Sequence, residues 1–271
     1  MRIAIEARFG FTVDQPTDVL LQFEPATTSK QTIVEAQTSI SPHTDFTHVA
    51  AQDDLGERIW FTSEGPVQVT HRSIVEVSRQ AHDLTKLTSP PGHGIPSVNV
   101  PYLFDTRYCL AEKFQPFVEA EFGGTQGGAR VAAIRDWIAQ HFTYAPGSST
   151  TDTTALDTFV QRSGVCRDYA HVMVTMARAS TIPARYVACY APDVSPQDFH
   201  AVAQVFLSDA NDDDPQDSAS GQWYLVDATG MSKPEDTVIV GVGRDAADVS
   251  FLTTFGPSQF DLSEVRVARD E

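Results

Sequence analysis

The chain has 271 residues, with 36 acidic and 19 Lys/Arg side chains and a formal net charge of −17. That balance argues against a nucleic-acid partner, because phosphate backbones are bound through Lys and Arg; with 41% hydrophobic residues the chain is also too apolar for a disordered one. Its length fits one large domain or two smaller ones, able to fold without a disulfide or a metal.

The N-terminus carries charges at Arg2, Glu6 and Arg8 and lacks the apolar core of a signal peptide. Nowhere is there an uninterrupted apolar run of about 18 residues, so no spanning helix and no membrane partner is expected. Residues 2–9 alternate, with Ile3, Ile5, Ala7 and Phe9 on one face. Similar runs at 18–23, 31–39, 57–62 and 67–77, separated by turn residues, predict an antiparallel β domain over residues 1–90. The Pro/Gly-rich stretch 89–96 reads as a linker. From there the period changes. Residues 111–122 and 129–142 read as helices, the second with Val131, Ile134, Trp137, Ile138 and His141 on one face. A short helix is expected at 154–162 with Asp152 as its cap, and another from Cys166 to Ala177, ending before Pro183. Strands follow at 184–190, 200–207, 223–227 and 237–240. Helices first and strands afterwards make residues 91–271 an α+β unit rather than a repeated βαβ one.

Cys109, Cys166 and Cys189 are an odd, sparse set and imply no disulfide framework. A reducing, cytoplasmic location is the expectation. Cys166, in Ser163-Gly164-Val165-Cys166-Arg167-Asp168-Tyr169-Ala170-His171, follows a glycine turn and opens a helix. Unpaired amides and the helix dipole there favour a thiolate and can serve an oxyanion; a buried small hydrophobe is the plainer alternative. A reactive thiol needs a base. His171, five positions along the helix, points about 140° away from Cys166. His43, His48, His71, His82, His93 and His141 read as surface or packing residues. His200 opens a strand directly after a turn-rich segment, and Asp227 ends the next strand. If those strands are antiparallel neighbours, the two side chains meet, and the carboxylate can orient the ring.

The ordered set G-V-C-R-D-Y-A-H, F-H-A and W-Y-L-V-D-A-T resembles the core domain of the transglutaminase-like superfamily, particularly its bacterial members. Its spacings, 34 residues from Cys166 to His200 and 27 from His200 to Asp227, are of the family's kind. The β-rich start, Arg107-Tyr108-Cys109 and Gly243–Val249 extend the likeness over nearly the whole chain. The resemblance implies an N-terminal antiparallel β domain followed by a transglutaminase-like, papain-like catalytic domain. It also implies Cys166 as nucleophile, His200 as general base and then acid, and Asp227 as orienting carboxylate. The chemistry implied is attack on an amide or ester carbonyl through a thioester acyl-enzyme, without cofactor. One oxyanion donor would be the Cys166 amide. The larger animal transglutaminases use a Trp before the nucleophile; residues 142–157 contain none, and Tyr144 is the candidate second donor, or else a core aromatic. Arg167-Asp168 stands where the animal enzymes commonly have Trp, and both residues read as a solvated first turn.

Other signals lead elsewhere or nowhere. Gly241-Val242-Gly243-Arg244-Asp245-Ala246 mimics a dinucleotide fingerprint, but no βαβ units follow. A calcium loop starting at Asp209 would put Asp214 and Ser220 where glycine and glutamate are needed. No CxxC, HExxH, P-loop or GxSxG pattern implies a metal, ATP or a serine nucleophile. Cys109 and Cys189 read as buried and inert. The leading expectation is a cysteine peptidase or amidase acting on a peptide or protein amide. A glutamine-to-amine transferase and a non-catalytic binding protein are the alternatives. The sequence leaves the oligomeric state open.

Overall fold

The structure, a computed structural model, describes residues 1–43, 45–209 and 221–270. The chain opens with β1 (Arg2–Leu21), whose alternation buries Ile3, Ile5, Ala7, Phe9 and Phe11 on one face. Two strands are expected here, at 2–9 and 18–23, yet the ladder runs through. A bulge between Val13 and Thr17 takes up Asp14-Gln15-Pro16, where a residue without an amide donor does no harm. Then come β2 (Gln31–Ser41), β3 (Thr47–Ala50) and β4 (Glu57–Val77). β4 likewise fuses two expected strands; Gly65, at φ +83°, bends the chain at the join as only glycine does freely. β4 pairs with β1 on one edge and with β2 and β3 on the other, all antiparallel.

Beyond β5 (Leu87–Thr88), the expected linker at 89–96 forms a short 3-10 turn at 92–94, and another follows it at 97–103. Next come α1 (Gln115–Phe122), α2 (Gly127–His141), β6 (Thr143–Tyr144), α3 (Ala155–Gln161), β7 (Ser163–Gly164) and α4 (Cys166–Ala179). The α3 cap is Thr154, not Asp152. Thr154 Oγ1 accepts from the Asp157 amide at 3.3 Å, and the Asp157 carboxylate accepts from the Thr154 amide at 2.9 Å. Asp152 has no such return partner and pairs with Arg107 instead. The strands β8 (Ala184–Tyr190), β9 (His200–Asp209), β10 (Gln222–Val226) and β11 (Val238–Gly243) form a second antiparallel sheet in the order β10-β9-β8-β11. α4 lies across β8 and β9 and buries Val172, Met173, Met176 and Ala177 completely. Residues 210–220, with the Asp212-Asp213-Asp214 run and most of the calcium-loop register, lie outside the described residues.

The end of the chain crosses the expected division at residue 90. β12 (Leu252–Thr254) and β13 (Ser258–Asp270) return to the first sheet and pair along the free edge of β1. Two sheets therefore share one core. Ile3, Ile5, Val75, Val77, Val265 and Val267 of the first pack on Tyr190, Val238 and Val240 of the second. Polar groups reinforce the junction: Tyr190 Oη donates to the Phe23 carbonyl at 2.7 Å, and Gln31 exchanges hydrogen bonds with both backbone groups of Ile239. Among the described residues, no helix is long and apolar enough to cross a membrane.

Candidate active site

Cys166 is the first residue of α4, so its amide has no acceptor within the helix. Asp168 closes the helix start by accepting from the Val165 amide at 2.8 Å. Gly164 is required here, because a Cβ on it would sit 2.7 Å from Asp168 Cβ. The expectation of a solvated first turn fails for Asp168, which is 1% exposed. Its second oxygen is held by Arg167 at 2.9 Å, and the Arg167 guanidinium continues to the Thr150 carbonyl. Thus the acid next to the thiol is neutralised by its neighbour and spent on the cap.

His200 begins β9 and Asp227 directly follows β10. Antiparallel pairing of Val226 with Ala203 brings the end of one strand to the start of the other. The His200 Nε2 to Asp227 Oδ2 distance is 2.9 Å. Four further donors fix the carboxylate: the amide and hydroxyl of Thr229 and those of Ser232, all at 2.7–2.8 Å. Burial opposes the charged imidazole, but the bond to Asp227 and the Cys166 side chain outweigh it and raise its pKa to about 10. Asp227 is pulled the other way: burial opposes its charge, yet His200, Thr229 and Ser232 hold it below the usual carboxylate value. His200 Nδ1 is buried, with no hydrogen-bond partner among the described residues. The Cys166 thiol, half-buried, points to the Phe199 carbonyl at 3.9 Å.

Tyr144 reaches the same place by a different route. The two-residue parallel ladder of β6 with β7 sets Tyr144 opposite Gly164, two residues before the thiol. Burial, and next to it Cys166, raise the phenol pKa to about 12. Cys166, His200, Asp227 and Tyr144 are thereby brought together.

The remaining cysteines and histidines stand apart. Cys109 and Cys189 are fully buried, and burial raises both thiols, Cys109 to about 11. His171 lies beneath the site, fully buried. Its Nε2 accepts from the Ala246 amide at 3.1 Å, and its ring stacks on Tyr108 at 4.9 Å. Burial lowers its pKa to about 3, with Arg167 adding to the effect, so it stays neutral. Asp245 in the glycine-rich Gly241–Ala246 segment accepts from the Tyr108 amide at 3.1 Å. The segment is not a turn throughout: Gly241–Gly243 end β11, and only the residues after them turn beneath the site. Among the described residues, no group of three or more His, Cys, Asp or Glu side chains is set to hold a metal ion.

Cys166 and His200 open into a cleft of about 540 Å³. Its far wall is one that sequence reasoning missed. Phe251, Leu252 and Phe260, from the returning C-terminal segment, line it together with Phe199. Phe199 stacks on Phe251 at 4.6 Å, and Phe9 of β1 supports both edge-on. Alternating apolar residues at the end of the chain were the available signal, but nothing local says that they rejoin a strand some 250 residues earlier.

A sequence model of the transglutaminase-like superfamily matches residues 118–228, which include Tyr144, Cys166, His200 and Asp227. An uncharacterised protein of Mycobacterium leprae is 33% identical over 125 residues, 46% of this chain and 43% of that protein. One from Mycobacterium tuberculosis is 33% identical over 132 residues, 44% of this chain and 40% of that protein. The match thus spans less than half the length of these curated relatives. The crystal structure of a candidate cysteine protease from Cytophaga hutchinsonii superposes with a TM-score of 0.88 at 28% identity, covering 99% of this chain and 90% of that one. The likeness therefore includes the first sheet as well as the papain-like α+β core.

Proposed function

We propose, from the match of residues 118–228 to the transglutaminase-like superfamily model, that the protein is a thiol-dependent hydrolase of peptide or protein amides. The observation that carries this reading is that Cys166 and an imidazole tied to a buried carboxylate face one cleft. The proton of Cys166 passes to His200 Nδ1, and Asp227, through Nε2, stabilises the imidazolium. The sulfur then forms a bond to the substrate carbonyl carbon. The Cys166 amide and the Tyr144 hydroxyl donate to the resulting oxyanion. His200 returns the proton to the leaving nitrogen, the C–N bond breaks, and an acyl thioester remains on Cys166. Water, deprotonated by His200, attacks the thioester, releasing the acid and restoring the thiol. The aromatic wall of Phe199, Phe251 and Phe260 favours substrates with apolar side chains beside the reacting carbonyl. The Cytophaga hutchinsonii neighbour, as a candidate cysteine protease, supports hydrolysis over transfer.

Incubation with a glutamine peptide and a labelled primary amine, alongside a panel of longer peptides, tests this. Release of free acid that is lost in Cys166→Ala is the expected result. Amine incorporation would assign the chain to the transferases instead. Neither product, with Cys166 inert to thiol probes, would leave a binding protein on this scaffold.

A further inference from the structure

A second pocket, about 300 Å³, lies where the first sheet, α2 and β10 meet, and it shares no lining residue with the Cys166 cleft. Its chemistry runs against the rest of the molecule. In a chain of net charge −17, it is lined by Lys30, Arg79, His82 and Arg135. Among the described residues, Asp227 is its one lining carboxylate, and both oxygens of Asp227 are already taken by His200, Thr229 and Ser232. Arg79 is half-buried and makes no ion pair among the described residues. Its Nη1 donates to the carbonyls of Pro234 and Thr237, at 3.0 and 2.8 Å, leaving its other nitrogens without a protein acceptor there. Burial pushes this guanidinium below its ordinary pKa. Among the described residues, the Lys30 ammonium has only the neutral Gln222 Oε1, at 2.8 Å. Arg135 is engaged by the exposed Asp136 next to it. An arginine fork and an ammonium converging on a concave, partly apolar site are the groups that bind a planar or tetrahedral oxyanion well.

We propose that this pocket is a binding site for a small oxyanion, a phosphate or carboxylate group, held by Arg79 and Lys30 with Arg135 at the rim. It does not depend on the catalytic reading of Cys166. The loop behind it, residues 227–237, carries both the Ser232 contacts to Asp227 and the carbonyls clamped by Arg79, so the anion sits against the segment that orients the carboxylate.

Calorimetric titration of the full chain with inorganic phosphate, and separately with acetate, tests the site, with sodium chloride added to hold ionic strength constant. Saturable binding, weakened at least about ten-fold in Lys30→Gln/Arg135→Gln, is expected. Tighter binding of phosphate assigns a phosphoryl ligand; tighter binding of acetate assigns a carboxylate. Arg135→Gln alone, a change at the rim, serves if the double variant does not fold and should weaken binding in the same direction. No saturable binding of either anion, or unchanged affinity in the folded variants, overturns the proposal.

Discussion

Asp227 is worth more to His200 than a single contact suggests, because four donors besides the imidazole hold the carboxylate charged and still. Replacing it with Asn should cost about 1–3 kcal/mol of stability. The cost has a defined pH window. His200 has its pKa raised to about 10, so its contribution is complete below the unfolded value of 6.5 and disappears as pH rises through about 10. Asp227 has its pKa lowered, so its contribution is complete above 3.8 and fades as pH falls through its depressed native value. The difference between wild type and Asp227→Asn, from denaturant unfolding, should therefore be greatest between about pH 4 and 6.5 and shrink on both sides. A pH-independent difference would contradict the ion pair. Tyr144→Phe removes only the hydroxyl proposed as the second oxyanion donor; kcat should fall by about 10²-fold with KM little changed. Unchanged kcat would return Tyr144 to a packing role. At this scale the sequence was readable where chemistry is local. A glycine turn opening a helix marked Cys166, and two strand ends marked His200 and Asp227. It was unreadable at Asp168, because whether a first-turn acid is solvated depends on Arg167 and on the loop carrying Thr150.

The start of α4 is built as one unit of Gly164, Val165, Asp168 and Arg167. Asp168→Ala removes the acceptor for the Val165 amide and leaves Arg167 without its carboxylate. A loss of about 1–2 kcal/mol in unfolding free energy is expected, the usual worth of a helix cap. Thiol reactivity should fall with it, since the same turn positions Cys166. An unaltered melting curve would mean that the cap carries no load. The start and end of β8 and the start of β9 were legible because largely apolar runs, interrupted only by Arg185 and Gln204, fit buried strands; β9 runs on to Asp209, two residues beyond the expected end. The continuity of β1 and β4 was not legible. Asp14-Gln15-Pro16 and Gly65-Pro66 look like chain breaks, yet a bulge takes up the first, while Gly65 and Pro66 stay paired with Val13 and Thr12.

Across the whole molecule, β12 and β13 return from beyond the second sheet to pair with β1, and this return delivers the aromatic wall of the cleft. A linker composition at 89–96 could not reveal this, because the joining contacts span most of the chain. Calorimetry should show a single cooperative transition. Tyr190→Phe, which removes the bond to the Phe23 carbonyl, should lower stability by about 1 kcal/mol without splitting it. Two separate transitions would contradict the shared core.

The direct test of an activated thiol is the rate of iodoacetamide alkylation near neutral pH, read at Cys109, Cys166 and Cys189 by mass spectrometry. Cys166 should react at least about ten-fold faster than the buried pair, and His200→Ala should remove that advantage while the protein stays folded. Equal rates at the three sulfurs, or an unaltered Cys166 rate in His200→Ala, would show that the imidazole does not activate it.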